Sequence, residues 1–240
     1  MKKIKNKVVS ILRVFCKNPT NFKTIPIFIN NYNRLTTLKK LIDALEKRGY
    51  KEIHILDNQS TYKPLLDFYK KTPYKVHFLK KNYGEKAFWK SGLWLKYIGR
   101  YYVYTDSDVV PVEECPEDFL KYFYSLLIKY PDVHKIGFSL KIDDLPETFK
   151  NKKEVIAWEK NFYENSIQKN VFIAPIDTTF ALYRPFSKRG SRDGKTPMLR
   201  TGFPYQAKHL PWYINSNRLN EEEKFYIDSL KTETHWSSKN

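Results

Sequence analysis

Asp106 and Asp108, in the stretch "YYVYTDSDVVP", put two carboxylates two positions apart where an apolar, tyrosine-rich run ends. In an extended chain residues i and i+2 project to the same side, so both acids could aim at one spot. Two like charges about 5 Å apart repel by roughly 1–3 kcal/mol at effective dielectrics between water and a protein surface. A cation between them removes that penalty. Oxygen donors suit Mg2+ or Mn2+, ions that keep several waters and bridge to phosphates. The same residues also suit a plain turn, where Asp and Ser are common, and the spacing leaves both readings open.

The elements that must position this pair are visible as alternating patterns. Short apolar runs near residues 25–29, 51–58, 74–82, 101–108 and 134–142 predict strands. Helical spacing between them predicts helices near 35–48, 62–72, 85–99 and 115–130. Strands alternating with helices predict an α/β fold with a mainly parallel sheet flanked by helices. In open sheets of this kind ligands sit beyond the carboxyl ends of the strands. Polar residues gather at those ends: Asn30 to Arg34, Asp57 and Asn58, Asn82, then Asp106 and Asp108. Four strand ends supplying polar groups carry more weight than any one of them. The alternation breaks after about residue 143. Residues 143–165 read as a charged helical stretch, 171–185 as one or two strands, 187–204 as a flexible basic loop, and 220–231 as a short helix.

At 240 residues the chain predicts one domain with a sizeable core, and 18 Tyr with 16 Phe argue against extensive disorder. Cys16 and Cys115 stand alone, so neither a disulfide framework nor a thiolate zinc site is indicated, which fits a reducing, cytoplasmic setting. The formal net charge of +17 predicts a surface that attracts nucleic acid, anionic lipid headgroups or phosphorylated substrates. No apolar run is long enough for a transmembrane helix. Within residues 1–18, Ile4, Val8, Ile11, Leu12 and Phe15 share one helical face, with Lys2, Lys3, Lys5, Arg13 and Lys17 around them. That pattern suits peripheral contact with an anionic membrane, or docking on a protein core. The expected division is a basic amphipathic segment over 1–23, an α/β half with polar strand ends over 24–142, and a further region of the same domain over 143–240.

That division rests partly on a likeness. Residues 24–142 resemble a nucleotide-sugar-dependent glycosyltransferase of the GT-A fold, most like family 2. "IPIFINNYNR" resembles the first strand and its "TYNR"-type turn, with Asn31 where Thr is usual. "EIHILDNQS" is similar to the "IVDNGS" segment. "NYGEKAFWKSG" resembles a partial "N-x-G…N-x-G" segment, keeping Asn82, Gly84 and Gly92. "YVYTDSDVVP" is similar to the D-x-D strand end.

The resemblance implies a UDP- or GDP-linked sugar donor, Mn2+ or Mg2+, and transfer of one sugar to a glycan, lipid-linked or protein acceptor, with inversion, retention staying open while the base is unassigned. It further implies that Asn31, Tyr32 and Arg34 line the base pocket, that Asp57 binds the nucleoside with Asn58 beside it, and that Asn82 and Gly84 border the donor. Asp106 would face ribose and metal, and Asp108 would bind the metal. A late histidine completes the metal shell in such enzymes, which points to His209, with His235 as second choice.

The last third departs from the pattern: it has no E-D pair and no Q-x-x-R-W segment, so a polymerising enzyme is not expected. Asp177, between an apolar run and a strand-like stretch, is the candidate base, a turn-capping role being its alternative. Trp212 and Tyr213 could stack on a sugar or be core aromatics, and Arg200 could bind phosphate. Lys86 and Lys90 could add charge near the donor or be ordinary surface lysines. A nucleotidyltransferase would want a glycine-rich first loop, and "NNYNRLT" has no glycine. A nucleic-acid binder would place basic and aromatic residues on strand faces, whereas these strand ends are acidic and amide-rich, so nucleic acid is not an expected partner.

Overall fold

The computed structural model describes residues 12–13, 16–176, 180–187 and 197–230. Its strands are β1 (Ile27–Asn31), β2 (Ile53–Asp57), β3 (Lys75–Phe78), β4 (Tyr102–Asp106), β5 (Val109–Pro111), β6 (Lys135–Leu140), β7 (Ser166–Gln168), β8 (Val171–Ile173), β9 (Ala181–Tyr183) and β10 (Met198–His209). The helices are α1 (Thr36–Lys47), α2 (Lys63–Tyr69), α3 (Ala87–Lys90), α4 (Phe119–Lys129), α5 (Lys152–Lys160) and α6 (Glu221–Ser229).

Among the described residues the strands form one sheet in the order β3-β2-β1-β4-β9-β6-β10-β8-β7, with β5 paired to β10. β3, β2, β1 and β4 run parallel, as do β6 and β10, and β9 is an antiparallel insertion between β4 and β6. This is a mainly parallel α/β sheet flanked by helices, the class expected of a GT-A type domain.

Strand alternation makes the sheet two-faced. Ile27 and Ile29 of β1 join Ile53, Ile55 and Val103 in one core, while Phe28 between them joins Leu56, Tyr102 and Tyr104 in another. The first core is closed by Leu38, Leu41, Ile42 and Leu45 of α1 and by Phe119, Phe123, Leu126 and Leu127 of α4. The second is aromatic: Phe88 lies 4.4 Å from Phe28, and Tyr102 stacks on Tyr183 at 4.9 Å. α1 stops where Gly49 takes a left-handed φ of 78°, which a side chain would resist. Gly137 in β6 admits no Cβ either, since one would lie 2.5 Å from the Phe180 carbonyl oxygen.

Two segments differ from expectation. Residues 85–99 are not one helix but short turns around α3, broken at Gly92 with φ 79°. Residues 198–204, expected within a basic loop, belong to β10, a twelve-residue strand between β6 and β8. The basic residue that suggested a loop is inside: Arg200 NH1 lies 2.7 Å from Glu159 Oε2, with both side chains almost fully buried. Arg200 is therefore engaged within the core rather than offered to a phosphate.

Of the segment 1–23, residues 12–13 and 16–23 are described. Arg13 Nε donates to the Pro185 carbonyl at 3.0 Å and its NH2 to Ser187 Oγ at 3.2 Å, so this residue docks on the body of the protein. Among the described residues no helix is long and apolar enough to cross a membrane.

The edge strand β3 and its neighbour β2 hold a pH-sensitive contact. His54 Nδ1 lies 3.1 Å from His77 Nε2, and His54 Nε2 lies 3.0 Å from Glu52 Oε1. Burial, then the neighbouring His54, pushes the His77 imidazole down to about 4, and burial lowers His54 as well. Unfolded histidine titrates near 6.5, so the unfolded chain binds more protons between the two values and stability falls as pH drops through that window. Discounting for partial exposure, we expect His77 to contribute a loss of about 1–2 kcal/mol between about pH 7 and pH 4.5. Urea titrations of wild type and His77→Gln should diverge over that range by this amount. Parallel pH profiles would contradict the assignment.

Candidate active site at the strand ends

The carboxyl ends of β1, β2 and β4 meet by register. Asn30 pairs with Leu56 and Asp106, and Asn31 pairs with Asp57. Alternation sends these side chains into two polar groups. In the first, Asn30 Nδ2 donates to Asp106 Oδ1 at 3.0 Å, and Asn58 Nδ2 donates to Asn30 Oδ1 at 2.8 Å and to the Gly84 carbonyl at 3.0 Å. Asn58 Oδ1 accepts from Tyr83 N, and Asn82 Oδ1 accepts from Gly84 N at 2.8 Å. Asn30, Asn58, Asn82, Gly84 and Asp106 are thus brought together.

The second group is buried. Asn31 Nδ2 donates to Tyr69 OH at 2.9 Å, and Asp57 Oδ2 accepts from Ser60 N at 3.1 Å. Asn33 takes φ 52°, a left-handed turn that asparagine tolerates. Its Oδ1 accepts from Thr61 N and Tyr62 N, tying the β1 turn to the β2 turn.

Asp106 ends β4, and residues 107–108 form a turn into β5, so the two acids do not continue one extended run. Their carboxylates accordingly take different partners. β5 pairs antiparallel with β10, setting His209 opposite Val109, and Leu210 N donates to the Asp108 carbonyl at 2.8 Å. That pairing carries His209 across a hundred residues to Asp108: His209 Nε2 lies 3.6 Å from Asp108 Oδ2. Arg34 NH1 reaches the same oxygen at 2.9 Å, and Arg34 NH2 reaches Glu223 Oε2 at 3.0 Å. Burial alone would raise the Asp108 carboxyl; His209 and Arg34 outweigh it and hold the group down to about 2. Burial likewise raises Glu223, against the opposing pull of Arg34.

Asp108 and His209 lie side by side beyond the strand ends. Asp108 Oδ1 and His209 Nδ1 are buried without a hydrogen-bond partner, so the first has lone pairs to spare and the second ring nitrogen is not committed. Among the described residues no group of three or more His, Cys, Asp or Glu side chains converges as a cation site. The Asp108 carboxylate is the kind of oxygen donor that Mg2+ and Mn2+ take together with water and phosphate oxygens.

The base-pocket candidates are placed less openly. Tyr32 OH donates to the Ser229 carbonyl at 3.0 Å, and the Arg34 guanidinium stacks 3.9 Å from the Tyr226 ring. α6 therefore lies over the β1 turn, and Glu222, Glu223 and Tyr226 belong to this site although no sequence motif marks them. The only hint is three consecutive glutamates in a strongly basic chain. Trp212 is buried, with its ring 4.7 Å from His209, and Tyr213 OH donates to Asp144 Oδ1 at 2.5 Å. Lys86 lies 3.5 Å from Glu85 in an exposed pair, and Lys90 is exposed. Asp177 and His235 lie outside the described residues.

No protein-family model and no curated protein sequence matches this chain. Among solved structures, a mycobacterial protein aligns at 13% identity with a TM-score of 0.45, over 81% of this chain and 68% of that one. GalNAc-T7, solved with UDP, GalNAc and Mn2+, aligns at 14% identity with a TM-score of 0.49, over 87% of this chain and 52% of its own length.

Proposed function

We propose that the protein is a metal-dependent glycosyltransferase that moves one sugar from a nucleoside-diphosphate donor to an acceptor hydroxyl. The observation that carries this reading is the meeting of Asp108, His209 and Arg34 beyond the carboxyl ends of a parallel sheet, beside the Asn30–Asn58–Asp106 cluster. The motif resemblance of residues 24–142 supports it.

In this reading Asp108 and His209 hold Mn2+ or Mg2+, with Asp106 toward the ribose. Asp57 and Asn58 read the nucleoside, Asn31 and Tyr32 border the base, Asn82 and Gly84 flank the donor, and Arg34, held against Asp108, stands at the diphosphate rather than at the base. The metal, when bound, supplies positive charge beside the departing diphosphate. Arg34 is a fixed cation at the same place, and a preorganised charge there stabilises the leaving group as the sugar C1–O bond breaks. The new C1–O bond forms to the acceptor hydroxyl, whose proton passes to a carboxylate base, for which Asp177 is the candidate. Inversion, a UDP or GDP donor, and a glycan, lipid-linked or protein acceptor belong to the same proposal.

A donor screen tests it. UDP-, GDP- and CMP-sugars are offered with and without Mn2+, reading hydrolysis and thermal shift. One nucleotide class should raise the melting temperature and be hydrolysed slowly, both effects depending on the metal. Indifference to every nucleotide under every metal would sink the proposal.

A further inference from the structure

α6 meets the strand-end site through acids. Glu222 Oε1 accepts from Leu35 N at 3.0 Å and Thr36 N at 2.9 Å, and Glu222 Oε2 accepts from Thr36 Oγ1 at 2.9 Å. These donors are the amino terminus of the twelve-residue helix α1, where free N–H groups and the helix dipole favour an anion. One residue on, Glu223 takes Arg34 NH2, while Arg34 Nε is buried without a partner. Both glutamates are buried in a chain with 43 Lys and Arg against 26 Asp and Glu.

The two carboxylates thus occupy adjacent anion positions, and Arg34 links the second, Glu223, to Asp108. The rest of α6 holds them there. Tyr226 stacks on Arg34, Asn33 Nδ2 donates to Ser229 Oγ at 3.0 Å, and the Phe225 and Tyr62 rings lie 5.1 Å apart. Burying an ion costs several kcal/mol unless it is fully paired, so acids at this depth mark a place built for negative charge.

We infer that α6 is an internal acidic plug: Glu222 and Glu223 occupy the phosphate-binding donors of the cleft, and a diphosphate-bearing ligand binds by displacing them. The inference rests on reading this cleft as a donor site, and it makes closure a property of the chain itself. The fraction of molecules with α6 displaced then sets the apparent affinity for the ligand.

The test uses the full chain and inorganic pyrophosphate. Calorimetry compares wild type, the double variant Glu222→Gln/Glu223→Gln, and Glu113→Gln as a control in an exposed ion pair with Lys47 far from the cleft. The double variant should bind pyrophosphate about fivefold tighter or more, and the control should match wild type. In wild type, saturating pyrophosphate should speed hydrogen exchange across residues 221–229. Equal or weaker binding by the double variant, or slower exchange of α6, overturns the plug. If that variant does not fold, the wild-type exchange result decides alone. UDP with Mn2+ is run alongside: release of α6 by pyrophosphate without any UDP binding sinks the donor reading and keeps the plug. UDP binding with unchanged α6 exchange does the reverse.

Discussion

Asp108→Asn is expected to lower donor turnover by about 10²–10³-fold, the scale of losing one preorganised electrostatic group at a reacting centre. The substitution keeps the shape and removes the charge that Arg34 and His209 share. Arg34 retains Glu223 as a partner, so the fold survives with a cost of about 1–3 kcal/mol for one lost charged hydrogen bond. Turnover against metal concentration, together with urea unfolding, separates the two effects. Full activity in a folded Asp108→Asn protein would remove Asp108 from the proposed site.

The largest stability effect is expected away from the cleft. Arg200 lies 2.7 Å from Glu159, donates to the Pro175 carbonyl at 2.8 Å, and stacks 4.2 Å from the Phe162 ring. This pair clamps α5 to the interior strand β10. Removing one member leaves the other as an uncompensated buried charge, so Arg200→Met should cost about 3–5 kcal/mol. Replacing both, as Glu159→Leu/Arg200→Met, should recover most of that loss because no charge is stranded. Urea midpoints read both outcomes. A single variant within about 0.5 kcal/mol of wild type would show that the pair carries no stability.

The parallel half was legible because its signals are local. "IPIFI" and "HILD" are strand-like runs, and the leucine spacing of α1 with its Gly49 stop needs no tertiary information. The polar strand ends were legible for the same reason, and β1–β2–β4 register does bring Asn30, Asn58 and Asp106 together. What was not legible depends on distant pairing. β10 looks like a loop in sequence because Arg200, Gly202 and Pro204 break its pattern, yet Glu159 neutralises the arginine and β6 and β8 supply the neighbours. The turn at residues 107–108 sends Asp106 to Asn30 and Asp108 to Arg34, which an i, i+2 argument for a straight strand does not anticipate. Arg34 itself suggested a base pocket, and only the placement of α6 shows it held between Asp108 and Glu223.

The central claim is that these strand ends bind a nucleoside diphosphate with a divalent cation. Isothermal titration of UDP, GDP and CDP into the full chain, in Mn2+ and again in EDTA, addresses it most directly. One of the three should bind stoichiometrically in Mn2+ and lose that binding in EDTA, and Asp108→Asn should show the EDTA behaviour under both conditions. Heat-silent titrations for all three nucleotides in Mn2+, with the protein folded, would contradict it.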